Sequence, residues 1–259
     1  MMNSKSKKLD AFARLLDIMD LLRNECPWDK KQTIESLRRL TIEETYELSE
    51  SILKGDKIGI KEELGDVLLH IVFYSKIASE ENTFDIKDVI EKICEKLIYR
   101  HPHIFGKIKV SDEHEVKKNW EALKLKKGNN NLLSGVPHSL PSLIKAQRIQ
   151  EKAAGVGFDW SSAEEVWSKV EEELNEFKIE IKKGNKNEIE EEIGDLFFSI
   201  INYARFLNID SDSALERANQ KFIKRLSYVE NIAKKNGKSI NELTLKQLNN
   251  LWSEAKNQD

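Results

Sequence analysis

The stretch "EEIGD", Glu191 to Asp195, closes a run of glutamates (Glu188, Glu190, Glu191 and Glu192) and opens directly onto an apolar segment, "LFFSIINYARFL". Residues 62 to 66 read "EELGD" and precede "VLLHIVFYSKIA" in the same relation. One acidic cluster is an ordinary solvated helix face. Two matched clusters are an internal repeat, which settles architecture ahead of any finer reading.

The repeat extends outward from these stretches. Glu43, Glu44 and Glu47 in "EETYE", with Glu63 and Asp66, match Glu172, Glu173 and Glu176 in "EELNE", with Glu192 and Asp195, each pair offset by 129 residues. Further on, "EKLIYR" (95–100) matches "QKFIKR" (220–225), and "NWEALK" (119–124) matches "NLWSEAK" (250–256). Trp28 in "CPWDK" and Trp160 in "GFDW" stand near the start of each half. Between the halves, "KKGNNNLLSGVPHSLPS" is rich in Gly, Asn, Ser and Pro and reads as a linker at 126–142. The expected domains are therefore a module at 1–125 and a second at 143–259, each roughly 115 residues, a usual domain size.

Among 259 residues, only four prolines and eleven glycines interrupt apolar positions that recur at spacings of three and four. The pattern predicts an all-α protein of two tandem helical modules. A formal net charge of -3 gives no overall attraction for nucleic acid. The N-terminus leads into the amphipathic "AFARLLDIMDLL", so no membrane span or signal peptide is expected. Cys26 and Cys94 form no paired motif and read as free thiols of a cytoplasmic protein.

Residues three apart share a helix face, so Glu44 projects with Glu47 and Glu63 with Asp66. Gly55 in "KGD" is the midpoint of both cross-pairs, as Gly184 in "KGN" is in the second half. A glycine there suits a helix C-terminus and a tight reversal. The antiparallel hairpin so formed sets Glu176 beside Glu192 and Glu173 beside Asp195, with Glu47 beside Glu63 and Glu44 beside Asp66. Four converging carboxylates repel unless a cation joins them. Oxygen ligands without Cys or His favour Mg²⁺, with Mn²⁺ also suitable, over zinc. A di-iron bundle would need Glu-x-x-His pairs, and no histidine here has a glutamate three residues before it.

The ordered set E-E-x-x-E then E-x-x-D, twice, with "CPWDK", "RHPHIF", "VGFDW" and "KFIKR", resembles the MazG family of nucleoside triphosphate pyrophosphohydrolases from about residue 12 to residue 256. That resemblance implies a fold of the all-α NTP pyrophosphatase type, helical bundles completed by homodimerisation, and Mg²⁺-dependent hydrolysis of NTPs to NMP and pyrophosphate. It implies metal ligation by Glu173, Glu176, Glu192 and Asp195, with Glu44, Glu47, Glu63 and Asp66 as a second metal site. Nucleotide binding falls to Lys169, Glu172, Glu191, Asp195, Asn202, Lys221, Arg225, Trp252 and Lys256. No Gly-rich phosphate loop occurs, so cations must hold the triphosphate. Water attack on the α-phosphorus needs a general base, for which Glu172 and Glu173 are the catalytic candidates. The alternative is a nucleotide-binding regulatory or scaffold protein without turnover.

The first half keeps its four acids, with Lys96, Arg100, Trp120 and Lys124 matching the second half's basic and tryptophan positions. It carries Phe73, however, where the second half has Asn202, and a phenyl ring offers no hydrogen bond. "RHPHIF" also places Pro102 where the second half continues its helix as "RLSYVE". Catalysis is therefore expected in the second half, with the first structural, regulatory or weakly active.

Overall fold

The computed structural model describes residues 4–106, 108, 110, 112, 115–116, 123 and 132–258, and no strand occurs among them. Trp120 and Lys124 lie outside the described residues, as does the 126–131 part of the expected linker. The chain forms two compact units, 1–110 and 111–259. None of the described helices is long and apolar enough to cross a membrane.

The first unit consists of α1 (Ser4–Glu25), α2 (Ile34–Lys54), α3 (Lys57–Glu80), α4 (Ile86–Arg100) and the short α5 (Pro102–Phe105). Local chemistry sets these limits. Thr33 and Ser36 form a reciprocal capping box at the start of α2, and Asp56 accepts the Ile58 N–H to start α3. Between them Gly55 ends α2 at φ 69°, a left-handed conformation that costs an L side chain. Two residues then suffice to reverse the chain, and α2 lies along α3. Beneath this hairpin Met19, Leu37, Val72, Phe73 and Ile77 make the core, with Phe12, Leu15 and Leu40 packed against it.

The second unit has a 3₁₀ turn at Leu132–Gly135, followed by α6 (Ser142–Ala154), α7 (Ala163–Lys183), α8 (Lys186–Phe206), α9 (Ser211–Lys235) and α10 (Leu245–Lys256). Ser162, Asn185, Asp210 and Thr244 cap the last four helices. Gly184, at φ 78°, ends α7 as Gly55 ends α2. The register of the repeat survives folding, since α2 and α7 both span 21 residues and start at 34 and 163. The helices then diverge where the sequence does. α4 stops at Arg100, two residues before Pro102, whereas α9 runs 25 residues through the equivalent point.

Candidate active site

Each hairpin brings carboxylates from two helices together. In the second unit, Glu173 and Glu176 on α7 and Glu192 on α8 offer oxygens that all lie within 4.8 Å of one another. In the first unit the corresponding group is Glu44 on α2 with Glu63 and Asp66 on α3. Asp195 and Glu47 stand outside these tight triplets but inside their electrostatic field. Lost hydration first, and then the carboxylates of Glu176, Asp195 and Glu173, raise the Glu192 pKa above the ordinary glutamate value. Glu63 is raised by the same causes, its largest repulsion coming from Glu47, and Glu44 is raised by burial and then by Asp66. The leading repulsions are the cross-hairpin pairs that the turn glycines imply.

The two clusters differ in their compensation. Lys169 Nζ lies 2.7 Å from Glu172 and 2.8 Å from the buried Glu173. Hydrogen bonds to Glu172 and then Glu173 hold its pKa well above the usual lysine range. In the first unit the equivalent residue is Leu40, which packs on the core, so that cluster has no ammonium of its own at this position. Hard oxygen donors with mutual repulsion and raised pKa values fit a divalent cation in both places.

Asn202 lies seven residues after Asp195 on α8, two turns along the same face. Its Oδ1 accepts the Nε–H of Arg205 at 3.0 Å. Arg205 in turn forms a double hydrogen bond to Asp159 of "GFDW". Sequence reading passed over Arg205 and gave Asp159 no role. The available signal was a charged residue three places after Asn202, on its side of the helix, and a lone acid in an apolar loop. On α9, Arg225 stands 5.9 Å from the ring of Trp252, whose other neighbour is Phe222 at 5.0 Å between centroids. Trp252 is thus half packed rather than free. Lys221 and Lys256 are exposed, as are Glu172 and Glu191, and neither lysine pairs with the acidic cluster among the described residues.

Two copies of an acidic helical hairpin in the same register, each able to hold a cation, narrow the comparison with known proteins. The family profile described as "MazG nucleotide pyrophosphohydrolase domain" matches twice, at residues 32–105 and 161–230. The chain belongs to the MazG family. By that membership it is a hydrolase of the nucleotide pyrophosphohydrolase class. Each MazG match contains one complete hairpin, α2–α3 or α7–α8. The chain is 46% identical over 253 residues to the "Nucleoside triphosphate pyrophosphohydrolase/pyrophosphatase MazG" of Thermotoga maritima, spanning 96% of both chains. It is 39% identical to the "Nucleoside triphosphate pyrophosphohydrolase" of Escherichia coli K12, over 95% of this chain and 97% of that one. A MazG-related protein from Thermotoga maritima of known crystal structure matches 43% of this chain and 97% of its own length, at 32% identity and a TM-score of 0.39.

Proposed function

We propose that the second unit hydrolyses nucleoside triphosphates to nucleoside monophosphate and pyrophosphate with a divalent cation, Mg²⁺ for preference. The observation that carries the reading is the convergence of Glu173, Glu176 and Glu192 within 4.8 Å, with Asp195 in their field and Lys169 against Glu172 and Glu173. Glu173, Glu176, Glu192 and Asp195 hold the cation, which supplies charge neutralisation on the phosphate oxygens. Asn202, Lys221 and Arg225 bind the substrate beyond the cation, and Trp252 with Lys256 closes over it. Glu172 or Glu173 orients water toward the α-phosphorus, and its proton passes to that carboxylate as pyrophosphate leaves. Lys169 holds both carboxylates in place by ion pairs at 2.7 and 2.8 Å.

In the first unit, buried Phe73 and core-packed Leu40 replace Asn202 and Lys169. We read it as a structural, regulatory or weakly active module that retains a cation cluster. We also read the protein as a cytoplasmic homodimer. Gly65 and Gly194 interrupt α3 and α8 although a Cβ at either would meet nothing within 4 Å. A mid-helix glycine costs about 0.5–1 kcal/mol against alanine, and Gly194 stands three and four residues before the exposed Phe197 and Phe198. Close approach by a second copy accounts for both features.

The test is incubation of the protein with Mg²⁺ and a panel of normal, deoxy and deaminated NTPs, separating NMP plus pyrophosphate from NDP plus phosphate. NMP and pyrophosphate are expected. Release of orthophosphate alone, or no release with either Mg²⁺ or Mn²⁺, would overturn the reading.

A further inference from the structure

Arg205 lies outside the acidic repeat, yet it ties the loop between α6 and α7 to the face of α8 that carries Asp195 and Asn202. Its Nε donates to Asn202 Oδ1 at 3.0 Å, and its two terminal nitrogens donate to the two oxygens of Asp159. Asp159 is itself held by the Trp160 N–H, at 2.9 Å. The Arg205 side chain is 13% exposed and its bond to Asn202 is part-buried, while the Asp159 side chain at the outer end is 27% exposed.

A carboxamide has an accepting end and a donating end of nearly equal shape, and nothing internal decides which way it points. A guanidinium only donates, so it settles the matter: the Asn202 oxygen must face Arg205, and the Nδ2 hydrogens must face away from it. From Asp195 to Asn202 the rise along α8 is about 10 Å, on the order of the length of a triphosphate chain. We propose that Arg205 and Asp159 are positioning residues that lock the Asn202 amide with its N–H groups toward the nucleotide, selecting an accepting phosphate or ribose oxygen. This rests on the reading that the α7–α8 hairpin binds the nucleotide. The first unit lacks the whole device at once. Phe73 stands for Asn202, and Lys76, the counterpart of Arg205, pairs instead with Asp20 at 2.7 Å.

The experiment is a double-mutant cycle on the full-length protein, read by calorimetric Kd for α,β-methylene-ATP with Mg²⁺ and by kcat/KM for ATP, with thermal unfolding of every variant. Arg205→Lys keeps a charge but loses the fork. It is expected to weaken binding roughly tenfold, with Asp159→Asn losing severalfold. Asn202→Asp keeps a partner for Arg205 and hence the packing, but presents no donor; it is expected to lose at least as much as Asn202→Ala. In the Asn202→Ala background, Arg205→Lys should cost less than about twofold, because its effect passes through the amide. An undiminished Arg205→Lys loss in that background, or wild-type Kd in Arg205→Lys, overturns the proposal in favour of simple loop anchoring. A wild-type protein that binds the analogue but releases no pyrophosphate from ATP or any other NTP sinks the hydrolase reading while leaving the cycle interpretable. One that binds no nucleotide sinks both.

Discussion

Phe73 lies in the core of the first unit with the Arg23 guanidinium 5.6 Å from its ring centroid, at the position whose counterpart in the second unit is Asn202. Arg23 is fixed there by Glu80 and by the Asp29 and Gln32 carbonyls. The bond to Glu80 raises the Arg23 pKa and lowers that of Glu80. The same helical position therefore supports packing in one unit and presents an amide in the other. Phe73→Ala should destabilise the first unit by about 3–5 kcal/mol in denaturant unfolding, while pyrophosphate release at temperatures where the variant is folded changes less than about twofold.

Glu176→Gln removes one of three convergent oxygens in the second unit and should lower pyrophosphate release by about 100-fold or more. Glu47→Gln, at the matching place in the first unit, should leave release within about threefold. Equal losses would show that both hairpins turn over substrate.

The raised pKa values of Glu44, Glu63 and Glu192 have a definite consequence for stability. A carboxyl whose folded pKa exceeds its unfolded value binds protons more readily when folded. Its contribution is favourable at low pH and is lost as pH rises from the ordinary glutamate value through the raised one. In EDTA, the fall in Tm over that window should shrink in Glu192→Gln relative to wild type. Mg²⁺ should restore stability above the window in the wild type, and Mg²⁺ affinity should drop as pH falls through it.

Gly55 and Gly184 adopt left-handed φ of 69° and 78° with open space around the missing Cβ. Any penalty at these turns is therefore one of backbone conformation. Gly184→Ala should cost about 1–2 kcal/mol in chemical denaturation. Gly184→Asn should recover much of that, since Asn tolerates the left-handed region.

Gly194→Leu places bulk on the face that carries Phe197 and Phe198. On the proposed homodimer, sedimentation should show a shift from dimer toward monomer, with the helical circular dichroism retained. A variant that stays dimeric would put the interface elsewhere.

The repeat, the helical class and the acidic hairpins were legible because each depends on short-range spacing. Residues three apart share a face, and a glycine midway between two pairs forces their antiparallel meeting. The start of α3 at 57 and of α8 at 186 follows from the same local chemistry, through Asp56 and Asn185 as caps. Contacts across long sequence gaps leave no such period. Asp159 meets Arg205 across 46 residues, and Arg23 meets Glu80 across 57.

The sequence by itself determined what each helix face carries: which carboxylates lie together, where the chain reverses, and that the pattern occurs twice. Only the tertiary structure decided which of those positions are buried and which are tethered to distant segments. Leu40 goes to the core, Phe73 goes beneath Arg23, and Arg205, beside Asn202, is tied to Asp159 from the loop before α7. The physical reason is range. Helical periodicity is set by hydrogen bonds four residues apart, whereas burial and the direction of a side-chain dipole depend on whichever distant segment packs against it.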